Sequence, residues 1–182
     1  MSDFLDANQI LSQLDGRLSG PVHVVVCGGL VIEVQYGGPG SRDIDSLDAL
    51  SGELKDAVEK IADEKGLDAT WFNDHAVKFF EFDKTLPAGW RERALDEDPV
   101  FSGAHLKLYP LCRRDLILTK LFGVFTRGGW DILKDVAALT NNIGVSESEL
   151  EDCVNDLHRM LRGSRWEKTK AQISKIIKEN IR

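Results

Sequence analysis

The chain has 182 residues, with 42% hydrophobic and 29% charged positions, which fits either one globular domain or a domain with a small helical addition. Its formal net charge of −7 disfavours a general nucleic-acid coating function, and the absence of any run of about 20 apolar residues disfavours a membrane span. Three widely spaced cysteines and the acidic start Met-Ser-Asp-Phe-Leu-Asp argue against a disulfide framework and a secretory signal, so we expect a cytoplasmic protein.

Extended segments predict a small mixed sheet in the first two-thirds of the chain. Val22 to Val26 is β-branched apart from His23, which is typical of a buried strand. The segment 30–36, after a Gly-Gly pair, fits either a short helix or a continued strand, because periodicity alone does not separate the two. The segment 69–75 is predicted to be a loop that enters a short helix. An edge strand is predicted at 41–47, and further strands at 88–95 and 105–111.

Apolar residues at helical spacing predict helices before and after these strands. One helix covers 7–18, and another has its apolar face in 54–62 and ends at Gly66. The motif Ser-Glu-Ser-Glu at 146–149 is typical of a capping box that opens a helix. The last third of the chain is predicted to be helical alone, with helices at 115–126, 130–139, 147–161 and 164–181.

The change of pattern after Pro110 predicts two regions. Residues 1–111 would form an α/β core with a small mixed sheet, and residues 112–182 a C-terminal helical bundle packed on that core. The fold class expected from the sequence is therefore α+β.

Two carboxylates one residue apart, Asp43 and Asp45, follow a glycine-rich segment. Because side chains alternate along a strand, both would point to one face, where they can bind a divalent cation and the phosphates it carries. Ser41 and Arg42 precede them and supply a hydroxyl and a guanidinium for phosphate oxygens. The structural alternative is a pair of solvated carboxylates on a surface turn.

A second polar group lies on the predicted C-terminal helices. Arg127 comes seven and Asp131 eleven positions after Lys120, so an unbroken helix would place the three on one face, although Gly-Gly at 128–129 interrupts it. Lys120 lies within an apolar helix. It fits either a lysine that neutralises phosphate charge or one that extends towards water and pairs with an acid.

Other site chemistries are disfavoured by spacing. The four histidines and three cysteines show no C-x-x-C or H-x-x-x-H pattern, which argues against zinc. The segment 37–41 is glycine-rich but lacks the Gly-Lys-Ser/Thr of a P-loop.

Four short runs occur in a particular order over about residues 20 to 140. They are Val24–Gly29, Ser41–Asp45, Trp71–Asp74, and Asp115–Leu121 with Arg127 and Asp135. In order and spacing they resemble a bacterial nucleotidyltransferase-like family. It is a minimal branch of the DNA-polymerase-β-type superfamily, similar to the AbiEii-type toxins and related small bacterial proteins.

The resemblance implies a nucleotidyltransferase fold and the transfer of a nucleoside monophosphate (NMP) from a nucleoside triphosphate (NTP) to a hydroxyl on protein or RNA. Gly28 and Gly29 would form the turn that holds the triphosphate, while Asp43 and Asp45 would bind Mg²⁺ or Mn²⁺. Ser41 and Arg42 would contact the nucleotide.

The resemblance also implies roles for the helical residues and for partners. Lys120 would neutralise phosphate charge, Arg127 would contact the nucleotide, and Asp135 would match the acid that ends the lysine-helix motif. The spacing Asp131-x-x-x-Asp135 departs from the commoner family pattern by one residue, which leaves open whether Asp131 or Asp135 is the match. A tRNA or a protein could be the acceptor. A cognate toxin or antitoxin partner, or a role in phage defence, is also implied.

The sequence departs from the family pattern in two further places. Leu30 follows the Gly-Gly pair where a serine or alanine is usual, which predicts bulk near the phosphates, and Lys107 lies on the strand where a third carboxylate is sought. These departures support a second hypothesis, a catalytically inactive copy of the fold that binds a protein or RNA partner.

Overall fold

The computed structural model describes residues 3–37, 41, 43–77, 86–127 and 141–160. Its helices are α1 (Asp3–Asp15), α2 (Gly29–Tyr36), α3 (Gly52–Lys65), α4 (Trp90–Leu95), α5 (Arg113–Arg127) and α6 (Glu147–Met160). Its strands are β1 (Val22–Cys27), β2 (Ile44–Ser46), β3 (Phe72–Asn73), β4 (Phe101–Ser102) and β5 (Leu106–Pro110). Within these ranges no helix combines the length and apolar character that crossing a membrane requires.

The strands form one mixed sheet in the order β3-β2-β1-β5-β4. The strand β1 runs parallel to β5 and antiparallel to β2, and β2 runs parallel to β3. In this register Cys27 is opposite Asp45, and Asp45 is opposite Asn73, so three adjacent strands bring these residues side by side. The sheet and its helices confirm the predicted α+β class and are compatible with a nucleotidyltransferase fold.

The chain divides into two compact units. The first comprises Met1–Phe79 and Gly89–Cys112 and contains the sheet. The second comprises Phe80–Ala88 and Arg113–Arg182, and in it α5 packs against α6. The predicted packing of the C-terminal helical region on the α/β core stays a prediction.

Each unit has its own buried apolar residues. In the sheet unit Val25, Val26 and Leu108 are completely buried, as expected for inner strands covered on both faces. In the second unit the inward residues of α5 and α6 follow the helical period and bury completely at Leu121 and Leu150.

The prediction of a strand at 88–95 is wrong, because Trp90–Leu95 forms the helix α4. Gly89 precedes it in the left-handed conformation with φ 76°, and Arg93 donates its backbone N–H to the Gly89 carbonyl. Arg, Glu, Ala and Leu all favour a helix, and only Ala94 of this short element is buried. An element of six residues with one buried side chain is too short to show a helical period in the sequence.

Two other expectations about the strands are corrected or settled. Segment 30–36 is helical rather than extended, as α2. The strand β2 is not an edge strand, because the two-residue strand β3 pairs with its outer side. The sequence predicted a loop that enters a short helix there and missed the strand, since two residues are too few for a periodic signal.

The expected capping box at Ser146 forms only in its first half. The Ser146 hydroxyl accepts a hydrogen bond from the Glu149 backbone N–H at 3.2 Å. The Glu149 carboxylate instead accepts from Arg113, at 2.9 Å from Nη2, and so joins α6 to α5. The predicted helices at 130–139 and 164–181 lie outside the described residues.

The last residue of α1, Asp15, holds the connection between β4 and β5. Its carboxylate accepts backbone hydrogen bonds from Leu106 at 2.6 Å, His105 at 2.7 Å and Ala104 at 3.0 Å. Partial burial raises the pKa of this carboxyl, but the three N–H donors outweigh it and hold the pKa below its ordinary value of 3.8.

We expect Asp15→Asn to lower the free energy of unfolding by about 1–2 kcal/mol at pH 7, because a neutral amide accepts these bonds more weakly. The folded-state pKa is lowered, so the contribution of the charged carboxylate is complete above pH 3.8 and is lost as the pH falls through the folded-state value. Urea unfolding at pH 7 and near pH 3 measures both. Asp63→Asn, at an exposed position of α3, is the control. A difference between Asp15→Asn and the unmodified protein that grew towards pH 3 would contradict this account.

Candidate functional site

The junction between β1 and α2 consists of Gly28, which lies between the last residue of the strand and the first of the helix. Its φ of 80° lies in the left-handed region, which favours glycine. A Cβ atom on Gly28 would lie 2.6 Å from Oδ2 of Asp45, closer than any side chain tolerates. The Asp45 carboxylate therefore occupies the space that a side chain at this position would need.

The second glycine of the pair, Gly29, is approached in the same way by Ser41. A Cβ atom on Gly29 would lie 2.5 Å from the Ser41 hydroxyl oxygen and 2.7 Å from its Cβ. The Ser41 backbone N–H donates to Oε2 of Glu33, one helical turn further along α2, at 3.1 Å. Ser41 thus packs directly against the first turn of α2. This packing requires glycine at position 29, because any side chain there would overlap Ser41.

The same serine contacts the first carboxylate of the Asp-x-Asp pair. The Ser41 hydroxyl lies 2.9 Å from Oδ1 of Asp43 and 3.0 Å from the Asp43 carbonyl oxygen. Asp43 is exposed and Asp45 partly exposed, whereas Ile44 between them is 5% exposed. The two carboxylates consequently point away from the core while the residue between them anchors β2.

The second carboxylate has a further contact on the neighbouring strand. Asn73 is 7% exposed and places its side-chain Nδ2 3.3 Å from Oδ1 of Asp45. Asp45 is therefore bordered by Asn73 on one side and Gly28 on the other.

The first turn of α2 adds partial positive charge to this group of oxygens. The first backbone N–H groups of a helix have no acceptor within the helix, and the helix dipole favours anions there. No side chain caps this N-terminus. The arrangement joins helix N–H donors, a hydroxyl and two carboxylates, which together suit a phosphate group carried by a divalent cation.

The structure describes Leu30 and Lys107, which are two of the departures from the family pattern. Leu30 is 3% exposed and its side chain belongs to the buried core, whereas the effect of its bulk on bound phosphates stays a prediction. Lys107 pairs with His23, four residues before Cys27 on β1, so it is about 13 Å along the strand from the level of Asp45. It therefore does not occupy the place of a carboxylate beside this pair.

The remaining predicted site residues fall in the second unit or outside the described residues. Lys120 is partly exposed on α5, and α5 also includes the backbone of Arg127. Arg42, Asp131 and Asp135 lie outside the described residues. Their predicted roles, with those of Lys120 and Arg127, stay predictions.

Cysteine chemistry finds little support among the described residues. Cys27 and Cys153 are both buried. Burial raises the pKa of the Cys153 thiol to about 11, so this side chain is protonated and unreactive at neutral pH.

The roles of two residues in this site were missed by the sequence analysis, Glu33 and Asn73. Glu33 follows Gly29 by four positions, which places both on one helix face once α2 is known to be a helix. Asn73 belongs to the run Trp71–Asp74 that carried the resemblance, but its contact with Asp45 depends on a strand of two residues. Only the helix signal was available from spacing.

A protein family described as nucleotidyltransferase of unknown function (DUF6036) matches residues 2–180. The chain belongs to this family. The resemblance to small nucleotidyltransferases is thereby confirmed, and membership of DUF6036 implies a nucleoside triphosphate as substrate. Searches of the curated proteins and of the solved structures found no match.

The contact between Gly29 and Ser41 generates a double-mutant prediction. We expect Gly29→Ala to lower the free energy of unfolding by about 1–3 kcal/mol, because the added methyl overlaps the serine. In a Ser41→Gly background the same change should cost clearly less, since the overlapping atoms are gone.

The control is Gly20→Ala, at a glycine with no atom within 4 Å of the added methyl. Thermal and urea unfolding of the four proteins of the cycle and of this control measure the coupling. Equal costs of Gly29→Ala in both backgrounds would show that the described contact is absent in solution.

Proposed function

We propose that this protein transfers a nucleoside monophosphate from an NTP to a hydroxyl group of a protein or RNA, with Mg²⁺ or Mn²⁺ bound by Asp43 and Asp45. The observation that carries the proposal is the close approach of Asp45 to Gly28 and of Ser41 to Gly29. It brings the Asp-x-Asp pair to the N-terminus of α2, where a triphosphate finds both backbone donors and a metal site.

The residues present fit a Mg²⁺ site with few protein ligands better than a site in which protein side chains surround the cation. Among the described residues no group of three or more His, Cys, Asp or Glu side chains could hold a metal. Mg²⁺ characteristically uses one or two carboxylates and completes its coordination with water and substrate phosphates. When bound, the ion would neutralise charge that builds up on the transferred phosphoryl group.

The protein's own groups would bind and orient the triphosphate. The N–H groups of the first turn of α2 suit phosphate oxygens, and the Ser41 hydroxyl lies beside them. Asp43 and Asp45 flank buried Ile44, so the polypeptide between them is anchored in the core and their separation is restrained. Lys120 is proposed as a further positive charge for the phosphates, as the resemblance implies.

In the proposed reaction the acceptor hydroxyl oxygen forms a bond to the α-phosphorus of the NTP. The bond between that phosphorus and the oxygen bridging to the β-phosphate breaks, and pyrophosphate leaves with the bonding electrons. The hydroxyl proton passes to solvent or to a carboxylate of the site. Positioning and charge stabilisation carry most of such a phosphoryl-transfer reaction.

An inactive binding module remains the alternative hypothesis. It rested on the bulk of Leu30 and on Lys107 in place of a third carboxylate, and the burial of Leu30 weakens the first of these supports. An acidic base on β5 is still not offered by its sequence. We therefore propose that Asp43 or Asp45, rather than a residue of β5, accepts the proton of the acceptor hydroxyl.

The acceptor and biological setting are proposed on the resemblance alone. We propose a protein or tRNA acceptor in the cytoplasm and a role in a toxin–antitoxin or phage-defence pair. Incubation of the purified protein with each α-labelled NTP, Mg²⁺, tRNA and cell lysate would identify both nucleotide and acceptor. Label on neither tRNA nor protein, with every nucleotide, would contradict the proposal.

We expect Asp43→Asn and Asp45→Asn each to reduce label transfer by about 10²–10³-fold, because each removes a charged metal ligand while keeping the shape of the side chain. Melting temperatures should change little, since Asn73 can still donate to an amide oxygen at position 45. The same labelling assay measures transfer, and calorimetry with Mg²⁺ and each NTP measures binding. Asp63→Asn on α3 controls for the loss of one negative charge. Full transfer by both site variants would reject the assignment.

A further inference from the structure

We propose that Asn73 is a positioning residue of the nucleotidyltransferase site, whose side-chain amide holds Asp45 in the orientation that binds the metal ion. This inference rests on the proposed function, because it concerns how one of the two proposed metal ligands is held. Asn73 contacts no substrate in this account and acts through Asp45 alone.

All the polar atoms of the Asn73 side chain are used in hydrogen bonds. Nδ2 donates to Oδ1 of Asp45 at 3.3 Å and to the Thr70 carbonyl oxygen at 3.0 Å. Oδ1 accepts from the His75 backbone N–H at 3.1 Å. An amide nitrogen has two hydrogens, and both find acceptors here.

These partners determine which way the amide faces. Rotating it by half a turn would place its oxygen against the Asp45 carboxylate and the Thr70 carbonyl, and its nitrogen against the His75 N–H. Each of those pairings is repulsive, so only one orientation of the amide is compatible with the site. The donor is therefore always directed at Asp45.

The position of Asn73 makes it a rigid reference point. It is 7% exposed, lies in register with Asp45 across β2 and β3, and is tied to backbone atoms on both its sides. Oδ1 of Asp45 is held at this amide, while Oδ2 lies beside Gly28. The hydrogen bond from Asn73 thus restrains one carboxylate oxygen, while the other occupies the space that the absence of a side chain at Gly28 leaves open.

The chemical type of this donor matters as much as its position. An amide is uncharged, so it orients the carboxylate without cancelling the negative charge that attracts a cation. A lysine or arginine at the same place would form an ion pair with Asp45 and compete with the metal ion. Outer partners of this kind commonly alter metal affinity by 10- to 100-fold when removed.

The test is the affinity of the full chain for Mn²⁺ in the presence of ATP, measured by electron paramagnetic resonance of the unbound ion. We expect Asn73→Ala and Asn73→Ser each to weaken Mn²⁺ binding by about tenfold, because neither side chain reaches Asp45 with a donor. Asn73→Ser is included because its smaller change leaves a second folded variant if Asn73→Ala is unstable.

The matched control is Asp68→Ala. Asp68 accepts the Thr70 N–H at 2.8 Å and so supports the same turn, but it makes no hydrogen bond to Asp45 among those described. This variant should lower the melting temperature while leaving Mn²⁺ affinity as in the unmodified protein. A merely structural role of Asn73 would instead make affinity follow stability in all three variants.

The outcomes separate this inference from the proposed function. Unmodified protein that binds Mn²⁺ with ATP, Asp45→Asn that does not, and Asn73 variants with unchanged affinity would overturn the role of Asn73 alone. An equal loss of affinity in Asp68→Ala would overturn it too. An unmodified protein without Mn²⁺ binding would overturn the proposed metal site itself, and the role of Asn73 with it.

Discussion

The contact between Asp45 and Gly28 is the constraint on which the candidate site depends. The strand β1 ends at Cys27, and α2 begins two residues later at Gly29. The neighbouring strand β2 places the Asp45 carboxylate beside this turn. With Oδ2 of Asp45 only 2.6 Å from the position of a Cβ atom, any side chain at Gly28 would push the carboxylate away. The positive φ of Gly28 is a second, independent reason why this position requires glycine.

A second close approach to a glycine occurs one residue later, at Gly29, and the two approaches bring several polar groups together. Ser41 lies against Gly29 and touches Asp43, while Asn73 supports Asp45 from the neighbouring strand. The Ser41 hydroxyl and the Asn73 amide that contact the two carboxylates are uncharged, and the N-terminus of α2 lies beside them. An uncharged donor orients a carboxylate without cancelling its negative charge, so these two contacts leave the attraction for a divalent cation in place.

Charged pairs elsewhere in the chain serve structure. Arg91 of α4 pairs with Asp48, whose other oxygen accepts the Val25 N–H at 2.8 Å where β1 and β2 separate. In the second unit Arg113 pairs with Glu149 between α5 and α6. These arginines stabilise loops and helix contacts, whereas the Asp-x-Asp pair remains accessible to a ligand.

Local pattern was sufficient for the elements whose signals are strong within a few residues. The β-branched run before Cys27, the glycine that ends α3, and the apolar period of α5 all predicted their structures, because backbone preference and burial agree there. The Gly-Gly pair and Asp-x-Asp also indicated a phosphate and metal site by composition and order. Contacts across strands were beyond such signals. Whether Leu30 turned inward, where Lys107 lay along β5, and that Asn73 would meet Asp45 depended on the register of three strands. Register follows from the packing of the whole sheet, and no single segment of the sequence contains it.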